Sequence, residues 1–481
     1  MLPVELIDLV RQIQVQKCET NKLEVKAAQN GCPKRLYDTL SSFSNQDDGG
    51  IILFGMDEAN DYQICGVYDA ADLQKKLGEQ CLQMEPALRP LCTVAEIDGK
   101  ILVSAEVQGL SIDQRPCFYK GAGRLRGSYI RVGDADFPMT EYEIYSYEAY
   151  RKKIQDELRP VEHADLSDLD DAAFTQYLAK VKLTKPNLAG LPVEKIQALQ
   201  GIVANGHLTV AGTLLFSAYP QAYLPQLCIT AVVVPGTEMG TVGEQGERFI
   251  DNARIEGTLP QMLEQAMRFV RRNSSVRTII DPDSGIRTDK TEYPMNAVRE
   301  VLLNSMIHRD YSLHTENSPI TLVMYRDRLA VENPGGLYGR ITLDSLGRIT
   351  ADTRNPFIAK MMEVLGETEN RYSGIPTIRM AMQQHQLPPP VFEDLRGVFR
   401  VTLYNSRSVK NDSKAFTLQD EILAFCETPR TRRELEEHFS QYTLPYLMQR
   451  FVNPLVEKGL LCLSLPQKPK SKNQRFQTIL R

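Results

Sequence analysis

The 481-residue chain has no tryptophan and only six histidines, no two of them spaced H-x-x-x-H. Its nine cysteines (Cys18, Cys32, Cys65, Cys81, Cys92, Cys117, Cys228, Cys426 and Cys462) include no C-x-x-C pair. That spacing argues against structural zinc and for free thiols in a reducing cytoplasm. The longest apolar run, near Leu227–Val234, is far short of the roughly 20 residues that a membrane-crossing helix needs. No G-K-[ST] tripeptide occurs, which excludes a Walker-type motor. Net charge is -5, so any nucleic-acid contact must come from a local basic patch. The opening MLPVELIDLVRQI is apolar at helical spacing, but acidic and without a basic start. It reads as an amphipathic helix rather than a leader peptide. With 42% hydrophobic and 24% charged residues, the composition is that of a soluble, multidomain protein.

Against these absences stands one dense stretch, Tyr293–Tyr311 (YPMNAVREVLLNSMIHRDY). Pro294 suits a first helical turn, and nothing from Ala297 to His308 breaks a helix. Val298, Leu302 and Met306 form an apolar stripe. Glu300, Asn304 and His308 repeat at the same spacing on another face. A carboxylate, an amide and an imidazole can therefore share one space, although three polar residues on a helix also suit a solvated face. Thr321–Asn333 reads as two strands around a tight turn and runs into Pro334-Gly335-Gly336. Ser373-Gly374-Ile375-Pro376 makes a later glycine turn before a helical pattern at Thr377–Gln386.

A helix with E-x-x-x-N, a hairpin ending N-P-G-G and a late S-G-I-P together resemble the Bergerat (GHKL) ATP-binding fold. The wording E-x-L-x-N-x-x-x-H-R-D-Y followed by E-N-P-G-G-L resembles one branch of it, the RecG-related proteins often labelled transcriptional regulators. The resemblance implies ATP and Mg²⁺ as ligands. Asn304 would hold the metal, and Glu300 would position or deprotonate the attacking water. Asn333 stands where the superfamily places the aspartate that reads adenine. Gly335, Gly336 and Gly374 would let the backbone approach the nucleotide, with His308 near the phosphates. Gly339–Asn370 would form a lid, in which Arg354 of an R-N-P motif could reach phosphate. Tyr372 replaces a usual glycine and Asn333 a usual acid. These departures favour nucleotide binding, with at most slow hydrolysis.

Toward the N-terminus, E-x-K (Glu24-Val25-Lys26), S-F-S-N-x-x-x-G-G ending at Gly50, a strand leading to Gly55-Met56-Asp57-Glu58, and Tyr129-Ile130-Arg131-Val132-Gly133 occur in order. They resemble the Schlafen AlbA-like domain. Some animal Schlafens cleave RNA with three metal-holding acids, and Glu19, Glu24 and Asp57 match these in type and order. The binding alternative rests on Lys26, Lys34, Arg35, Lys120, Arg124, Arg126 and Arg131, which could neutralise phosphates. Lys120–Gly127 reads as a basic hairpin loop, and a mixed-charge surface is the plainer account of the patch.

Ser146–Glu157 reads as a charged helix, and Leu158–Asp171 as a boundary before a helix at Ala172–Val181. Strands near Gln226–Val234 and Arg248–Ile255 and a helix at Leu259–Arg272 then lead to Tyr293. Beyond a polar linker, three helical stretches (Thr417–Glu427, Thr431–Phe439, Pro445–Lys458) and two strands read as a winged helix. Its wing would carry Lys468, Lys470, Lys472 and Arg475, and no acid occurs from Leu460 to Arg481.

The expected fold class is α+β multidomain: an AlbA-like α/β domain at 1–155, a connecting region at 165–290, a Bergerat-type α/β sandwich at 291–408 and a winged helix-turn-helix at 415–481. The expected function is ATP binding coupled to DNA binding in a transcriptional regulator that can form a homodimer. Two alternatives stand beside it: an ATP-gated metal-dependent nuclease acting on RNA or DNA in phage defence, and a nucleotide-sensing protein scaffold.

Overall fold

The computed structural model describes residues 1–280, 287–349, 352–368, 374–407, 422–423, 425–426, 428–439, 447–457, 460–464 and 474–478. In the N-terminal domain α1 (Pro3–Gln16) precedes β1 (Leu23–Lys26), α2 (Tyr37–Ser44) and β2 (Gly50–Phe54). Then come α3 (Ala70–Leu82), β3 (Leu91–Ile97) and β4 (Lys100–Val107). The sheet order is β1-β2-β4-β3, with β1 and β2 parallel and the other pairs antiparallel. Period-two alternation sorts its residues between two cores. Ile52, Phe54, Val103 and Ala105 pack with Leu40 and Phe43 of α2 and Leu73 and Leu77 of α3. Leu53 and Leu102 pack on the other face with Leu6, Val10 and Ile13 of α1.

A separate hairpin, β5 (Tyr129–Val132) and β6 (Ala135–Pro138), closes over α2. Lys120–Gly127, expected as a loop, ends in a helical turn at Gly123–Gly127. The helix α4 spans Glu141–Lys152 rather than 146–157. Thr140 caps it by accepting from the Glu143 N–H while Glu143 reaches back to the Thr140 N–H, and Lys153 ends it in the left-handed conformation.

The central domain is built on a six-stranded sheet. After α5 (Asp171–Thr184), capped by Asp170, come β7 (Ile229–Val233), β8 (Asp251–Ile255), α6 (Leu259–Asn273) and α7 (Met295–Ile307). Then follow β9 (Ile320–Met324), β10 (Arg328–Pro334), α8 (Pro356–Leu365), α9 (Gly374–Gln384), β11 (Val391–Asp394) and β12 (Val398–Tyr404). The order is β8-β7-β9-β10-β12-β11, with only β7 and β9 parallel. Residues 229–255 thus supply two strands to the sheet that carries the NPGG turn. A single core from Val161 to Leu403 joins the connecting region to the later elements. Helix α7 is buried almost all round, because α6 and α9 flank it and the sheet lies beneath it.

Near the C-terminus, Thr431 and Glu434 form a capping box for the helix Arg432–His438. Residues Leu461–Leu463, Arg475–Thr478 and Arg430–Thr431 pair in a three-stranded antiparallel sheet. Lys468, Lys470 and Lys472 lie outside the described residues, as does Tyr372. No helix among the described residues is long and apolar enough to cross a membrane.

Candidate nucleotide site and its neighbouring domain

Helix α7 ends at Ile307. His308 takes the C-cap position, and its N–H still bonds to the Asn304 carbonyl at 2.9 Å. Glu300, Asn304 and His308 line one cavity of about 740 Å³ together with Asn333, Gly335, Gly336 and Gly374. That volume suits a small-molecule ligand. The Asn304 amide donates to Glu300 Oε1 at 3.1 Å. Burial raises the Glu300 carboxyl, against the opposing pull of the Asn304 bond and the Arg299 charge. Burial and the nearby Arg354 charge push His308 down to about 4, so at neutral pH it is an uncharged imidazole. Across the cavity, Asn333 is 5% exposed and its Oδ1 has no hydrogen-bond partner.

The glycines have packing reasons of their own. At Gly335, φ is +109°, and a Cβ would come within 2.8 Å of the Arg354 guanidinium and of the Asp310 side chain. A methyl group on Gly374 would overlap Glu300 Oε1 and crowd the Asn304 amide, so the α9 N-terminus closes directly on that pair. The short turns from Leu337 to Ile349 cover the cavity with Tyr338, Ile341 and Leu346.

Arg354 stands apart from the expected phosphate ligands. It is buried, pairs with Asp310 Oδ2 at 2.5 Å, donates to the Gly336 carbonyl at 3.3 Å and lies over the Tyr338 ring. Asp310 also accepts from the Tyr142 hydroxyl of α4 at 2.8 Å and from the Ser312 N–H at 2.8 Å. Burial works against the Asp310 charge, but Arg354 and these bonds hold its carboxyl below the usual range. Tyr150, one face further along α4, bonds to Asp352 at 3.2 Å and packs edge-on against Tyr338. The last helix of the N-terminal domain therefore contacts two residues of the cavity lining, Tyr338 and Asp352. Glu157, just after it, is fully buried and accepts the Phe357 and Ile358 N–H groups at 2.9 and 2.7 Å. It thus caps α8 from a distance of two hundred residues in sequence.

In the N-terminal domain the three expected metal-holding acids do not form one site. Glu24 and Asp136 pair with Arg131 at 2.8 and 3.0 Å, and Glu19 approaches it at 3.5 Å while accepting the Val25 N–H at 2.7 Å. Asp57 caps its own turn through the Ala59 N–H and the Asn60 amide. Among the described residues, no group of three or more acids, histidines or cysteines is placed to hold a metal.

Arg131, expected to meet phosphate, is a correction: its side chain is 1% exposed, sits over Phe43 and is engaged by three carboxylates. The remaining basic candidates divide. Lys26 pairs with Glu24, Arg124 with Glu148, Lys120 with Glu85 and Arg35 with Asp38. Lys34, Arg126 and Arg475 are exposed.

Residues 19–140 match the family model Schlafen, AlbA_2. Residues 317–403 match HATPase_c_4, described as "Putative ATP-dependent DNA helicase recG C-terminal". The chain thus carries, in this order, a stretch similar to AlbA_2 and one similar to the RecG C-terminal family. The second match covers Asn333, Gly335, Gly336, Arg354 and Gly374, while Glu300, Asn304 and His308 precede it. Among solved structures, the DIP2311 protein from Corynebacterium diphtheriae is 22% identical over 83% of this chain and 80% of its own, with a TM-score of 0.37. The N-terminal domain of a RecG-related protein from Nitrosomonas europaea is 26% identical over 29% of this chain and 94% of its own, with a TM-score of 0.23. No curated protein matches the chain.

The sequence reading missed two features of the AlbA_2–RecG-type junction. The start of α4 was signalled by Thr140-x-x-Glu143, a capping box. The Tyr142–Asp310–Arg354 contact had no local signal, since Tyr142 lies 168 residues before Asp310.

Proposed function

We propose that this protein binds ATP·Mg²⁺ in the central cavity and nucleic acid through its flanking domains, as a regulator whose nucleotide state biases nucleic-acid binding. One observation carries the nucleotide reading. A buried amide oxygen without a partner faces the same cavity as the Glu300–Asn304 pair, and apolar Val331, Phe399 and Val401 stand beside it. Buried polar groups are rarely left unpaired, and a ligand with a hydrogen-bond donor on a flat apolar ring would complete this one. Asn304 would supply an oxygen ligand to Mg²⁺, whose charge would offset that of the phosphates. Glu300, one helical turn away, would orient a water at those phosphates, and its raised pKa suits a group that takes up a proton. The resemblance to Bergerat ATPases and the RecG-type match point to the same ligand.

Coupling is supported by α4. Its Tyr142 and Tyr150 touch the Asp310–Arg354 pair and Asp352, which lie beneath Gly335–Gly336 and the covering turns. A ligand that moves those glycines changes contacts made by the AlbA_2 domain. Such a difference between bound states is what nucleotide control requires.

The test is calorimetry of ATP and ADP with Mg²⁺ on wild type and Asn304→Ala. Wild type is expected to bind ATP at micromolar strength or tighter, and Asn304→Ala at least about tenfold more weakly, one charge-assisted contact being worth roughly that factor. Wild-type protein that binds neither nucleotide refutes the reading.

A further inference from the structure

Asn333 lies near the end of β10, and its register neighbour across the sheet is Phe399 of β12. Val331, two residues earlier on the same face, pairs with Val401. These four side chains make one wall of the cavity, apolar except for a single amide. Among the described residues no hydrogen bond engages that amide, and its Oδ1 is buried.

An amide carries one acceptor and one donor side by side, whereas a carboxylate only accepts. A 6-amino purine presents the N6–H donor beside the N1 acceptor. A 6-oxo purine presents the N1–H donor beside the O6 acceptor. The amide matches the first edge in one orientation and the second after a half-turn about its terminal bond. Because nothing in the chain fixes the Asn333 amide, both orientations are open. A carboxylate at the same place would meet a lone pair, on N1 or O6, in either case.

We infer that Asn333 makes this site accept 6-oxo as well as 6-amino purine nucleoside triphosphates. The inference rests on the nucleotide reading above and extends it to the class of base. Asn333 is a specificity-determining residue that reads both edges with the same pair of hydrogen bonds.

The experiment is calorimetry of full-length protein with Mg²⁺ and each of three probes: ATP, inosine triphosphate, and purine riboside triphosphate, which carries only hydrogen at position 6. In wild type, ATP and inosine triphosphate are expected within about tenfold of one another. Purine riboside triphosphate, which keeps only one of the two bonds, should bind roughly tenfold more weakly than ATP. In Asn333→Ala the three affinities should converge. That substitution breaks no bond within the chain, and its thermal midpoint serves as the folding control. A wild type that binds ATP but takes inosine triphosphate more than about a hundredfold more weakly overturns the inference. So does a folded Asn333→Ala protein that keeps the wild-type order of affinities. Absence of ATP binding in wild type would instead overturn the nucleotide reading itself. The wild-type ratio decides the matter even where the variant does not fold.

Discussion

Around Arg131, the carboxylates of Glu19, Glu24 and Asp136 close on a single buried guanidinium. Around Glu300, one carboxylate shares an open cavity with an amide and an uncharged imidazole. Both clusters draw on residue types that serve metal or phosphate chemistry. They differ in what completes them. The carboxylates of the first are engaged from within the chain, by Arg131, Lys26 and the Val25 N–H. The second leaves Asn333 Oδ1 unpaired among the described residues.

The largest effect expected from breaking this comparison is at Arg131. Replacing it by Met keeps the volume and leaves acids crowded in a buried place with only Lys26 near them. Removing one side of such a pair costs about 3–5 kcal/mol. Hydrogen exchange of the Leu23–Lys26 amides in full-length protein measures it. Protection unchanged by the substitution would show that the cluster is a surface feature.

The second effect is one of pH. Burial, reinforced by the neighbouring Glu24 and Glu58 charges, pushes the Glu19 carboxyl up to about 7, against the Val25 N–H and Lys26. Glu19 therefore holds its proton to higher pH in the folded chain than in the unfolded one. The folded state binds more protons than the unfolded state between about pH 4.5 and about pH 7. Stability therefore falls as pH rises through that window and is flat above it. Glu157, raised to about 7 by burial, gives the central domain a drop of the same sign. The readout must therefore be local. Glu19→Gln should flatten the pH profile of exchange in β1 while leaving that of α8 unchanged.

What could be read from sequence follows the same division. The helix around Glu300 and the NPGG turn were legible because each is a local pattern of period, turn residue and spacing, whereas Gly374-Ile375-Pro376, expected as a turn ahead of a helix, are the first residues of α9 itself. Val298, Leu302 and Met306 are indeed fully buried. The role of Arg131 was not legible. A strand arginine beside Gly133 has the same local signature whether it faces solvent or plugs a cluster. Only the pairing of β5 with β6 and its closure over α2 decides. Arg354 misled for the same reason, because its partners Asp310 and Tyr142 come from two other parts of the chain. Helix α8 was hidden inside a segment expected to be a lid. Its N-terminus takes its hydrogen bonds from Glu157 rather than from a nearby capping residue.

The smallest structural effect, and the one that sharpens the comparison most, is expected at Glu300. Among the described residues its one hydrogen bond is the one it accepts from Asn304, and a Gln oxygen at the same place can accept it equally well. Glu300→Gln also removes a carboxyl whose charge burial disfavours. The unfolding free energy should therefore change by less than about 1 kcal/mol, in contrast to Arg131→Met. Nucleotide affinity should also persist, because Asn304 and Asn333 are untouched. What the amide cannot do is take a proton from water. Phosphate release should fall by at least about a hundredfold, the usual contribution of a positioned base. Calorimetry and phosphate release on the same sample separate the outcomes. Lost affinity would make Glu300 part of the binding surface. Unchanged release would move the base elsewhere in the cavity. A large loss of stability would place Glu300 in the same class as the acids around Arg131, closed by the chain rather than held open for a ligand.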